Sequence, residues 1–97
     1  MIKVGQLKIN GKTALGLKVD LPDSPPLIAV IGENGFVMCG FLNVDAAEKL
    51  GVTAAMVSGV ETFDDVLDAA VKEVTSKAEM KGIRQGMKGR EALELLF

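Results

Sequence analysis

Two stretches that mix apolar and polar residues, 2–9 and 12–19, flank Asn10-Gly11. Asn-Gly between such runs is the strongest short hairpin signal, because both turn residues need positive φ. A two-residue turn also fixes the register. Val4 is set opposite Leu17, Ile2 opposite Val19 and Gln6 opposite Leu15. These pairs share one face, which is expected to be buried. The other face pairs Lys3 with Lys18, which places solvent there. It also pairs Gly5 with Gly16, a flat notch that another backbone or a subunit could approach closely.

The rest of the chain reads in the same way. Asp20 to Pro26 is a stiff loop, and Leu27-Ile-Ala-Val-Ile31 is a continuous apolar run suited to a strand covered on both faces. With Asn34-Gly35 as turn residues, the returning strand Phe36 to Phe41 sets Ile31 against Met38 and Val30 against Cys39. Asp45 is the expected N-cap of a short helix, 46–50, with Glu48 completing a capping box and Gly51 ending it. Residues 53–59 read as a fifth strand. Thr62 then opens the main helix, whose stripe is Phe63, Val66, Leu67, Ala70, Val71, Val74 and Ala78. Asp68–Lys72 and Glu73–Lys77 are i,i+4 pairs on its outer side. Gly82 stops it, and a last short helix runs from about Gly89 to Leu96.

The order β-β-β-β-α-β-α-α has no alternating βα repeat. It predicts a single α+β domain: a mixed or mainly antiparallel sheet of about five strands, with two to three helices on one face. The segment between strands four and five spans only about ten residues, near the lower limit for a parallel crossover. The fifth strand's direction is therefore left open.

Composition narrows the function classes. The chain of 97 residues is 48% hydrophobic and 25% charged, in the range of a soluble globule. No apolar run approaches the roughly 20 residues needed to span a bilayer, and no signal-like segment precedes the first strand. The one cysteine permits no internal disulfide. A cytoplasmic protein without membrane contact is expected. With four Phe, no Trp or Tyr and a net charge of −2, the chain lacks both the stacking platforms and the positive field of a nucleic-acid binder.

Charge is also segregated. Residues 1–19 carry four Lys and no acid, residues 20–68 nine acids and one Lys, and residues 72–90 six bases and two acids. Asp64, Asp65 and Asp68 at the start of the main helix, with Lys77 and Lys81 at its end, suit the helix dipole. That explanation stands ahead of a binding patch.

Two places could carry chemistry. Cys39 is the candidate nucleophile, sharing a strand face with Val37 and Phe41. The chain has no histidine, which removes every Cys–His and Ser–His–Asp arrangement. A small apolar core residue is the simpler reading of this cysteine. The second place is Gly82-Ile-Arg-Gln-Gly-Met-Lys-Gly-Arg90. Its amides, with Arg84, Lys88 and Arg90, could hold a phosphate or carboxylate at the last helix's start. It is not a P-loop, and a tight inter-helix turn relieved by Gly86 and Gly89 explains it more simply. Glu91 reads as electrostatic trimming of that helix. Neither a paired-acid site nor a metal site has the spacing it needs, and no cofactor is implied. Met87, between two glycines, could anchor a subunit contact.

Gly35-Phe-Val-Met-Cys-Gly40, Gly59-Val-Glu-Thr-Phe-Asp-Asp-Val-Leu67 and Gly82-Ile-Arg-Gln-Gly-Met-Lys-Gly-Arg-Glu-Ala-Leu93 occur in that order. Together they resemble the YunC-like small proteins of bacteria and archaea, a family named as a domain of unknown function. The resemblance covers nearly the whole chain. It implies a compact α+β protein of prokaryotic origin and brings no activity with it. It directs attention to Cys39, Gly40, Gly86, Met87, Gly89, Arg90 and Glu91. The expected function is a non-catalytic module that works as a homo-oligomer or binds a small anionic ligand through Arg84, Gly86, Lys88, Gly89, Arg90 and Glu91. The alternative is an enzyme using Cys39, with the Gly86–Arg90 loop as anion or oxyanion holder.

Overall fold

A computed structural model describes residues 1–97. Six strands form one sheet in chain order: β1 (Ile2–Ile9), β2 (Lys12–Val19), β3 (Leu27–Ile31), β4 (Phe36–Met38), β5 (Ala54–Met56) and β6 (Glu73–Val74). Four short helices complete an α+β fold: α1 (Val44–Leu50), α2 (Phe63–Asp68), α3 (Ser76–Met80) and α4 (Gly89–Glu94). All neighbouring strands are antiparallel except β4 and β5, which run parallel and are joined across α1. No helix is long and apolar enough to cross a membrane.

The first hairpin has the register that Asn10-Gly11 dictates, with Val4 against Leu17 and Gly5 against Gly16. Its faces are inverted relative to expectation. Ile2, Val4 and Leu15 are exposed, whereas Ile9, Ala14 and Gly16 are buried. Phe63, at the start of α2, is the cause. Its ring occupies the glycine notch, and Lys3 Nζ lies 5.9 Å from the ring centroid. The notch is filled from within the chain.

The second hairpin is shifted by two residues. Ile31 faces Phe36 and Val30 faces Val37, leaving Gly32–Gly35 as a four-residue connection. The Gly32 amide donates to the Gly35 carbonyl (2.8 Å), and the Asn34 amide donates to the Leu96 carbonyl (2.8 Å), so the C-terminal segment helps to shape this turn. Strand β4 stops at Met38 because Cys39–Leu42 forms a turn, with the Leu42 amide donating to the Cys39 carbonyl (3.1 Å). Phe41 is therefore exposed and does not share a face with Cys39.

The expected long helix is broken. Its stripe is divided among α2, β6 and α3, because Val74 pairs with Ala55 and Glu73 with Met56 at the edge of β5. Buried Thr75 fixes the break. Its Oγ1 accepts the Ala54 amide (3.1 Å) and donates to the Val52 carbonyl (2.8 Å), and it also N-caps α3. Thr62 does cap α2, in a reciprocal box with Asp65. Helix α1 begins two residues earlier than expected. Asn43, not Asp45, is its N-cap, and Glu48 instead reaches across to accept the Ser76 amide (2.8 Å).

The main core lies between the inner sheet face and helices α2 and α4. It includes Ile28, Val30, Val37, Val57, Val66, Ile83, Leu93 and Leu96. The outer face reads across the strands in rows. Val4, Leu17, Ala29, Met38 and Met56 form one, Gln6, Leu15, Ile31, Phe36 and Ala54 another, and Ile2, Val19 and Leu27 a third. Among these residues only Gln6 is polar; the first row continues to Glu73, and Lys8 and Thr13 lie beyond the second on the same face. Toward β5 the face closes: Ala54 is buried, as is Ala47 of α1, which contacts β5 there.

Candidate functional site

Parallel strands β4 and β5 end side by side, and the chain leaves them in two diverging loops, 39–42 and 57–61. A cavity of about 460 Å³ opens at that point. Such a position, outside the carboxyl ends of parallel strands, is where open sheets commonly hold ligands. Cys39 and Gly40 come from the first loop, Ser58, Gly59 and Glu61 from the second, and Ser24 and Pro25 from the segment before β3.

Cys39 is built into the wall. Its residue is only 4% exposed, its amide donates to the Ile28 carbonyl (3.0 Å), and its Sγ accepts the Ile28 amide (3.4 Å). Glu61 is the only other ionisable residue lining the cavity, and no lysine or arginine lines it. A thiol becomes a nucleophile beside a base or a cation. No such cation lines the cavity beside Cys39. No cluster of His, Cys, Asp or Glu side chains is placed to hold a metal ion.

The glycine-rich tail lies elsewhere. Arg84 lines a separate depression of about 440 Å³ with Glu73, Val74, Glu79 and Gln85. Its guanidinium donates to the carbonyls of Glu79 (2.7 Å) and Ile83 (2.9 Å), closing the end of α3. Gln85 donates to the Lys72 carbonyl. Gly86 to Glu91 line neither cavity. The stretch is laced to the segment after α2: the Gly86 amide donates to Val71 (2.9 Å), the Val71 amide to Met87 (2.8 Å), and the Gly89 amide to Ala69 (2.8 Å). Glu91 accepts the Lys88 amide (2.9 Å) and so caps α4. Met87 packs half-buried against the core. At Gly89 a Cβ would collide with the Val66 carbonyl oxygen, so this glycine lets α4 lie against α2.

The fold thus gathers Gly86, Lys88, Gly89, Arg90 and Glu91 on one segment, with Arg84 beside a different depression and Cys39 in a third place. The residues that sequence reasoning missed are Ser24, Ser58, Gly59, Val60 and Glu61. Their one local signal was Ser58-Gly59 at the end of a strand, where Gly59 adopts φ +71°.

Residues 38–96 match the family described as a domain of unknown function, DUF1805. The chain is 37% identical to the uncharacterized protein YunC of Bacillus subtilis, over 96% of this chain and 95% of that protein. It also superposes on the crystal structure of a protein of unknown function from Thermoplasma acidophilum. The TM-score is 0.94 at 36% identity, covering 100% of this chain and 94% of the other.

Proposed function

Since the chain belongs to the DUF1805 family, we propose from its own geometry that it is a non-catalytic binding module, assembled as a homodimer through the outer face of its sheet. The observation that carries this reading is the apolar centre of the outer face, with Lys8 at one margin and Glu73 at another. Ile2 is 66% exposed, Val4 62% and Leu15 45%. Fully covering a side chain of this kind is worth about 1.5–3 kcal/mol. Four strands at ~4.8 Å spacing and three rows ~7 Å apart give a patch of roughly 400 Å² in projection. That lies within the range of the largest apolar patch on an ordinary monomer. Two such faces come to about 800 Å² in projection, below the ~1,200 Å² at the low end of stable specific interfaces and in the range of a weak contact.

A second copy suits this surface better than a charged partner does. The centre of the face carries no charge to repel its copy, Lys8 and Glu73 lie at its margins, and a two-fold axis lets each apolar row cover the other. The test is light scattering behind size exclusion, on the wild type and on Leu15→Glu. The expected result is a dimer that the variant converts to a folded monomer. A wild type that stays monomeric at about 100 μM, well above the ~1 μM Kd of a modest interface, would overturn the reading.

An enzyme using Cys39 with the Gly86–Arg90 loop is the rival. It requires that loop to reach the thiol, whereas the loop's amides are bonded to Ala69 and Val71. Alkylation of native Cys39 no faster than a free thiol would count against it.

A further inference from the structure

We propose that the cavity at the ends of β4 and β5 binds a small zwitterion of the amino-acid class, its carboxylate on backbone amides and its ammonium group on Glu61. Five of the cavity-lining residues, Gly40, Phe41, Ser58, Gly59 and Val60, have backbone N–H groups that donate to no acceptor within the chain. Gly40, Phe41 and Gly59 are exposed and Ser58 is half-buried, so the departure from the near-complete pairing of buried backbone donors is at Val60. Val60 is itself buried, at 4% exposure. The neighbouring donors are used: Val57 donates to Met38 (2.9 Å), Glu61 to the Asp65 carboxylate (3.0 Å) and Leu42 to Cys39 (3.1 Å). The unpaired run therefore coincides with the cavity.

Successive free amides in two adjacent loops form the kind of concavity that receives anionic oxygen. The remaining lining limits which anion fits. Without a lysine or arginine in the wall, a phosphate dianion would lack a counter-charge there. A carboxylate needs only a few N–H donors. Glu61, the one charged residue in the lining, adds a single negative acceptor, which a cationic donor on the same ligand would satisfy. Pro25, Pro26, Phe41 and Val60 supply the apolar surface for a small side chain. About 460 Å³ lies within the usual size of small-molecule sites. This site is independent of dimer formation, because none of its lining residues belongs to the outer rows.

The experiment is a titration of the ¹⁵N-labelled full chain with three probes: L-leucine, 4-methylpentanoate, which lacks the ammonium group, and 3-methylbutylamine, which lacks the carboxylate. Each sample's mass is followed by light scattering, so that a change in assembly is separated from binding. Saturable shifts confined to the amides of Gly40, Phe41, Ser58, Gly59 and Val60 are expected with L-leucine. Affinity should fall about tenfold for 4-methylpentanoate, and about tenfold for L-leucine on Glu61→Gln, as loss of one charge-assisted hydrogen bond implies. No saturable shift with any probe, or shifts centred on other residues, would overturn the site. Equal binding of L-leucine and 4-methylpentanoate, unchanged by Glu61→Gln, would overturn the zwitterion.

Discussion

Gly16 of β2 lies under the ring of Phe63 so closely that a Cβ there would stand 2.8 Å from the ring carbons Cε1 and Cζ. Gly5, its partner across the hairpin, is nearly as close, with 3.3 Å from its would-be Cβ to Cε2. One aromatic ring thereby decides which side of a hairpin of two eight-residue strands is inside. Gly16→Val would force the ring out of its seat or bend the sheet. Overpacking of this kind costs about 1–3 kcal/mol. The midpoint of urea unfolding, compared with that of Gly11→Ala, which has open space around its Cβ but carries turn strain, would separate the crowding from the turn. A Gly16→Val protein as stable as the wild type would contradict the packing described.

The hairpin also shows what the sequence can and cannot reveal. Its turn and register follow from Asn10-Gly11, a local matter of positive φ. Its inside and outside do not, because Leu7, Ile9 and Ala14 on one face balance Ile2, Val4 and Leu15 on the other. The choice belongs to Phe63, far along the chain. The stripe from Phe63 to Ala78 fails for a related reason. A 3.6-residue period was present, but Val71, Val74 and Thr75 are β-branched, and the edge of β5 was available to pair with them. The caps at Thr62 and Gly51 were legible because capping is local. The cavity was not, since unpaired backbone amides leave no side-chain signature.

Thr75 should be the most costly hydroxyl to remove. It is buried, and its Oγ1 serves the Ala54 amide and the Val52 carbonyl together. Thr75→Val keeps the shape and strands both groups. A buried group left without its partner costs about 1–3 kcal/mol. Because the same residue starts α3 and ends β6, hydrogen exchange at residues 72–80 should rise more than at β1. Thr75→Ser, which keeps the hydroxyl, should recover most of the loss.

Gly89 and Arg90 separate packing from ligand binding in the tail. Gly89→Ala places a methyl group against the Val66 backbone, which cannot rotate away. A loss of about 3 kcal/mol or more is expected, since α4 must lift off α2. Arg90 is exposed, so Arg90→Ala should change stability by no more than about 0.5 kcal/mol. Thermal unfolding in the presence and absence of inorganic phosphate reads both roles. If phosphate stabilises the wild type but not Arg90→Ala, the tail holds an anion as well as packing.

Acid should destabilise the fold through two carboxylates. Asp65 accepts the amides of Glu61 (3.0 Å) and Thr62 (3.2 Å). The Glu61 bond is the largest cause holding its pKa below the ordinary value, and desolvation opposes it. Glu48 is held low by the Ser76 hydroxyl first and the Ser76 amide second. A depressed folded pKa means that, near the ordinary carboxylate range, the unfolded chain binds more protons than the folded one. The stabilisation is therefore complete above the unfolded pKa values and is lost as pH falls through the lower, folded ones. Urea midpoints should stay level from neutrality to about pH 5 as far as these two groups decide, then drop below about pH 4. Glu48→Gln with Asp65→Asn removes both titrations. The double variant should start less stable at neutral pH and show a shallower acid slope. An acid slope equal to that of the wild type would show that neither contact survives in solution.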